Sequence, residues 1–147
     1  MKKNDPKVLR AWTFYDWANS VYSLSITTAI FPIYYNSITS ANGSDEVTFL
    51  GRTFTNTALY SYALSFSFLV IAFLSPLLSG IADYKGNKKF FMRLFCFLGS
   101  ASCASLYFFK DLSSLDMGII SFILASIGWA GSIVFYNAFL PEIATAD

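Results

Sequence analysis

The chain has 147 residues, 55% of them apolar and 19% aromatic, and only 13% charged, about half the charged share of an average soluble domain. Ten basic against nine acidic residues leave a net charge of +1, so no face reads as a nucleic-acid surface. There is no histidine and there are only two cysteines, which removes the usual side chains of zinc-dependent and histidine-assisted hydrolysis. The composition is that of an all-α polytopic membrane protein; it points to neither an enzyme, nor a metal site, nor a cofactor.

Met1 to Arg10 is polar and carries Lys2, Lys3, Lys7 and Arg10, which places the N-terminus in the cytosol. The apolar run that follows exceeds the about 7–15 residues of a signal-peptide core, and a first membrane helix is expected over about residues 13–36. Pro32 lies near its far end, where a missing amide donor is easier to tolerate than at the midplane. Asp16, Asn19, Ser20, Ser23 and Thr27 recur at helical spacing, and Tyr34 continues the row. A carboxylate inside an apolar span costs about 2.5–3.5 kcal/mol at mid-helix, so this stripe should face protein or water, as a substrate pathway would. The competing reading is that Asp16 only complements the positive end of the helix dipole while the hydroxyls bond back to carbonyls.

Residues 37–56 form a polar connection on the non-cytosolic side. Asn42-Gly43-Ser44 is formally a glycosylation acceptor, but Asn-Gly is first a turn signal. A second helix is expected over 57–82, with Pro76 near its cytosolic end. The stretch Gly80-Ile81-Ala82-Asp83-Tyr84-Lys85-Gly86-Asn87-Lys88-Lys89 joins it to a third helix over 90–109. Lys85, Lys88, Lys89 and nearby Arg93 make this turn cytosolic. Asp83 sits against the negative pole of its helix, at a cost of about 0.3–1 kcal/mol, and so suggests a partner elsewhere. Gly86 can take positive φ and reverse the chain. Gly80, Asp83, Gly86, Lys88 and Lys89 are the candidate cytosolic gating loop.

The third span contains Gly99-Ser100-Ala101-Ser102-Cys103-Ala104-Ser105, small residues suited to close helix packing in lipid. Cys96 and Cys103 are about 10 Å apart along it, beyond disulfide reach, and read as free thiols. Lys110 to Asp116 is an external turn. A fourth helix over 117–140, stopped by Pro141, puts Ser121, Ala125, Gly128 and Ser132 on one face, a second seam. Trp17-Ala18-Asn19-Ser20 and Trp129-Ala130-Gly131-Ser132 look alike, but their registers differ, so they carry little weight as a repeat. Eight basic residues on the cytosolic side against Arg52 and Lys110 outside give a four-helix protein of the cell membrane with both ends in the cytosol.

Asp83-x-x-Gly86-x-Lys88-Lys89 resembles the loop between helices 2 and 3 of the major facilitator superfamily, although Ser79 and Tyr84 stand where that pattern has a glycine and a basic residue. Together with Tyr15-Asp16-Trp17-Ala18-Asn19-Ser20 and Phe135-Tyr136-Asn137-Ala138-Phe139-Leu140-Pro141-Glu142, the chain resembles the vacuole-effluxer-like branch of that superfamily over nearly its whole length. The resemblance implies two six-helix halves that move small solutes by alternating access, with amino-acid efflux the activity of the fungal relatives. It also implies an N-terminal fragment whose partners are the lipid bilayer, a small-molecule solute and a missing C-terminal half, with the first and fourth helices lining the cavity. Glu142 matches a family Pro-Glu but reads first as a solvated end charge. The second functional reading is a small non-transporting membrane protein that binds other helices through the two small-residue seams.

Overall fold

The computed structural model describes residues 3–40, 43–85 and 87–144, apart from the side chains of Ala82, Asp83 and Lys85. Gly86 and the carboxylate of Asp83 in the expected gating loop, and Asn42 of the acceptor triplet, therefore lie outside the described residues.

The chain opens with Asp5 as N-cap, its carboxylate accepting the Lys7 amide at 2.9 Å, and with Pro6 in the first turn, where its missing N–H is no loss. Helix α1 (Pro6–Val21) passes without interruption into a π-helical segment (Tyr22–Ile30) and then into α2 (Phe31–Thr39). The three pieces form one rod, longer than the expected 13–36 and changed in hydrogen-bond pattern at its middle.

The connection that follows is not all turn. Strands β1 (Glu46–Phe49) and β2 (Arg52–Thr55) pair antiparallel, with Val47 opposite Phe54 and Phe49 opposite Arg52. The polar connection expected over 37–56 is in part a hairpin within an otherwise helical chain, for a physical reason: Val47, Thr48, Thr53 and Thr55 are β-branched and suit a pleated surface. Leu50 and Gly51, at φ 48° and 77°, make the double positive-φ turn that matches strand twist. The hairpin itself reverses at Leu50-Gly51; Gly43, at φ 72°, donates its amide to the Ser40 carbonyl at 3.1 Å.

Three long helices complete the fold: α3 (Asn56–Lys85), α4 (Lys88–Ser105) and α5 (Leu115–Ala138), with a final turn, α6 (Leu140–Ile143). Three stretches are long and apolar enough to cross a bilayer, Asn56–Ile81, Lys88–Phe108 and Leu112–Ile143, with mean hydropathy 2.1, 1.4 and 2.0. In the first rod the longest regular piece is the 16-residue α1. Pro141 does not stop the fourth long helix: α5 ends at Ala138, and Pro141 lies in the first turn of α6, where proline is well tolerated.

Helix α5 is the hub. Within its most apolar stretch 67% of residues are buried, against 11% for α3 and for α4, and a helix apolar on every side belongs inside. Toward one end Phe31, Tyr35, Phe109 and Phe122 cluster with Leu59, Ala63 and Leu115. Toward the other, Ile71, Phe95, Ile127 and Phe135 do so. Asn4 donates its amide to the Ile143 carbonyl at 2.8 Å and Lys88 meets Glu142, so the chain start, the α3–α4 turn and α6 share one end. The hairpin and the α4–α5 connection share the other, where the Leu50 amide donates to Asp116 Oδ1 at 3.2 Å.

Candidate functional site: the face of the first rod

The first rod lies antiparallel along α5. Trp12 stacks on Tyr136 at 4.5 Å between ring centroids and 12° between planes. The pair is also reciprocal: the Trp12 indole donates to the Tyr136 carbonyl at 3.4 Å and the Tyr136 hydroxyl to the Trp12 carbonyl at 3.2 Å. Tyr15 stacks on the same ring. One turn on, the Trp129 indole donates to the Asn19 carbonyl at 3.1 Å, and the Tyr22 hydroxyl lies 3.0 Å from Ser126 Oγ. Beyond the π segment, Phe31 stacks on Phe122 at 4.3 Å. Tyr34 donates to the Phe109 carbonyl at 2.8 Å and Tyr35 to the Asn56 carbonyl at 2.9 Å.

Two grooves border this contact. One, of about 500 Å³ between the first rod, α4 and α5, is lined by Tyr15, Asn19, Tyr22, Cys96, Gly99 and Trp129 among others. The other, of about 520 Å³ toward the hairpin end, is lined by Ile30, Tyr34, Cys103, Tyr107 and Lys110 among others. The Tyr15 hydroxyl is buried without a hydrogen bond, uniquely among the described side-chain oxygens and nitrogens.

The predicted stripe is divided between these surroundings. Asn19 borders the first groove and Tyr34 the second, whereas Asp16, Ser20, Ser23 and Thr27 border neither. Asp16 is exposed, and its carbonyl accepts the Ser20 hydroxyl at 2.9 Å; Ser23 donates back to the Ser20 carbonyl at 3.1 Å. The Thr27 carbonyl accepts the Tyr60 hydroxyl at 2.7 Å. Tyr15, Tyr22, Tyr60 and Trp129 were not among the predicted site residues. The signal for Tyr15 and Tyr22 was legible as a second row, Trp12, Tyr15, Asn19 and Tyr22, one step around the helix from the acidic one; Tyr60 and Trp129 lie on other helices and had no such signal.

In the gating loop Gly80 and Lys89 are exposed, and the backbone of Asp83 is in the last turn of α3. Lys88 reaches Glu142 Oε1 at 2.6 Å and the Ala138 carbonyl at 3.5 Å. Glu142 is thus paired and not merely solvated. No local signal marks this pair, because 54 residues separate the two and only the antiparallel packing of α4 on α5 joins their ends.

The two small-residue seams meet inside the molecule, while Ser100, Ala101 and Ala104 of the first stay exposed. Gly99 and Gly128 bring the α4 and α5 backbones together, so that a Cβ on Gly128 would overlap Gly99. Ser105 and Ser121 bond across the same interface at 2.8 Å. Ser132, the inner end of the row, is 1% exposed.

Long apolar helices around a buried central one, with grooves along the first rod, define a helical multi-pass membrane protein. The chain belongs to the vacuole effluxer Atg22 like family, which matches residues 4–147. It is similar, with 37% identity over 97% of its own length and 32% of the relative's, to the uncharacterized MFS-type transporter YxiO of Bacillus subtilis. It is also similar, over 63% of its length and 15% of theirs, to autophagy-related protein 22-2 of Aspergillus niger at 31% identity and 22-1 of Aspergillus terreus at 33%. The chain thus spans about a third of the bacterial relative and less of the fungal ones. No solved structure matches it.

Proposed function

We propose that the chain forms the first four membrane helices of a small-solute transporter of the major facilitator type, which works by alternating access, with amino-acid efflux as its activity. The match of an effluxer family to residues 4–147 carries this reading. The first rod serves as the fourth crossing: it runs alongside α5 from Trp12 at Tyr136 to Phe31 at Phe122. Basic residues at the chain start and at the α3–α4 turn favour a cytosolic location for that end, in the cell membrane. Asp16, Asn19, Ser20, Ser23, Thr27 and Tyr34 are the proposed pathway; Gly80, Asp83, Gly86, Lys88 and Lys89 are the proposed cytosolic gate, and a C-terminal half is the proposed partner. A helix-binding protein without transport is the weaker reading, because Gly99, Ser105, Ser121 and Gly128 of its seams already hold α4 against α5 and leave only Ser100, Ala101 and Ala104 exposed.

The test is efflux from proteoliposomes that contain the complete protein and are loaded with labelled amino acids. We expect saturable efflux, and a fall of about tenfold or more for Asp16→Ala, since an intramembrane carboxylate is costly to keep without a function. Membrane insertion should be unchanged. Absence of efflux for every amino acid overturns the substrate class; wild-type efflux by Asp16→Ala removes the stripe from the pathway.

A further inference from the structure

The middle of the first rod is built differently from its ends. From Tyr22 to Ile30 the backbone is π-helical, a pattern rare beyond a single turn and associated with functional sites and bends. At its far end the Phe31 amide donates to the Ile26 carbonyl, five residues back. The Thr27 carbonyl therefore loses its α-helical donor, and its π-helical donor would be the amide of residue 32. That residue is Pro32, which has no N–H. A carbonyl left bare in an apolar span costs several kcal/mol, and here the Tyr60 hydroxyl from α3 takes the vacant place at 2.7 Å.

The two halves on either side are held firmly. Inward, the Trp12–Tyr136 pair and the Trp129–Asn19 bond fix α1 to α5, and the Tyr22–Ser126 bond holds the first residue of the π segment. Outward, Phe31 on Phe122, Tyr34 on Phe109 and Tyr35 on Asn56 fix α2. No residue of the π segment is buried. Between Ser23 and Ile30, the Tyr60–Thr27 bond alone reaches it from another helix, among the described residues.

We propose that the π segment is a hinge in the first rod, created by Pro32 and latched by the Tyr60 hydroxyl on the Thr27 carbonyl. Release of that hydroxyl lets α2 tilt relative to α1 while each keeps its own anchors on the bundle. Because Tyr60 belongs to α3, the latch couples the bend of the first rod to the position of α3. In a transporter such a bend would open and close the hairpin end of the bundle; that purpose rests on the transport reading, whereas the hinge itself does not.

The test is a distance distribution between spin labels at exposed positions 10 and 37 (Arg10→Cys, Ser37→Cys, in a Cys96→Ser, Cys103→Ser background), measured by pulsed electron paramagnetic resonance on the protein in nanodiscs. The labels bracket the π segment by about 40 Å of helix at 1.5 Å per residue. Tyr60→Phe keeps the ring against Phe122 and removes only the hydroxyl; a second, distinct distance population is expected. Pro32→Ala restores an amide donor at the junction and should narrow the distribution below the wild-type width. Tyr35→Phe, which deletes a hydroxyl bond at an anchored end, should leave it unchanged. A Tyr60→Phe distribution that superimposes on wild type overturns the latch, and so does equal broadening by Tyr35→Phe. Broadening by Pro32→Ala overturns the role of the proline. None of these outcomes depends on which solute is carried, so the hinge and the transport reading stand or fall separately.

Discussion

Lys88 and Glu142 show how much a single charge depends on what folds against it. Glu142 is about half exposed, at 52%, whereas Lys88 is 18% exposed and also approaches the Ala138 carbonyl near the C-terminal end of α5, where a cation meets the negative pole of the helix. Exposed ion pairs contribute about 0–1 kcal/mol, so the pair by itself is a modest bond. Its two members should not be equivalent: Lys88→Ala removes both the pair and the contact with the helix end, Glu142→Ala only the pair. Thermal unfolding in detergent should show Lys88→Ala as the more destabilising, and the exchanged double variant Lys88→Glu/Glu142→Lys should recover only part of the loss. Full recovery would assign everything to the ion pair. The residue types and the basic turn are readable in the chain, but the partner is not. A contact across 54 residues has no local signal, and it exists only because α4 doubles back along α5.

Among the elements, the α4–α5 pair is the closest. Without water to drive apolar surfaces together, helices in lipid associate through backbone proximity and interhelical hydrogen bonds. Gly99 facing Gly128, and Ser105 facing Ser121, supply both. Gly128→Ala would thrust a methyl into the Gly99 backbone, which cannot move aside as a side chain tip can. The expected cost is about 1–3 kcal/mol, the range for an overpacked core. Gly99→Ala meets its nearest atoms at 3.4 Å and should cost clearly less, and Gly80→Ala, with nothing within 4 Å, should be neutral or slightly stabilising. Unfolding measured by denaturant titration in mixed micelles checks the order; a Gly128→Ala protein as stable as Gly80→Ala would mean that the helices do not approach as described. The seam on the fourth helix was legible because small residues at three- and four-residue spacing share a face. Its partner face on α4 was visible only as a run of small residues, since spacing alone did not say which of them would turn inward.

Across the whole molecule, alternation of basic and polar ends predicts the orientation in the bilayer. The hairpin and the α4–α5 connection lie at the end opposite to Lys88 and Glu142. With both native cysteines replaced, Ser44→Cys should react with an impermeant maleimide applied outside intact cells, and Asn87→Cys only after permeabilisation. The reversed pattern would invert the topology, and labelling of both from one side would reduce the crossings to an uneven count.

Composition and hydropathy by themselves determined the membrane class, three of the four expected spans as long apolar helices, the basic turn between two of them and the small-residue face of the fourth. Each of these is a local or periodic property, carried by neighbours within a few turns. Motif resemblance added the family, which the match to residues 4–147 bears out. Tertiary structure alone decided that α5 is the buried hub, that the polar connection folds as a hairpin, that Lys88 pairs with Glu142, and that Tyr60 of α3 reaches the π segment of the first rod. These features arise where distant segments compete for the same surfaces and backbone groups. Tyr60 can supply the Thr27 carbonyl with the donor that Pro32 lacks only because α3 packs beside the first rod, and nothing local to residues 22–30 records that neighbour.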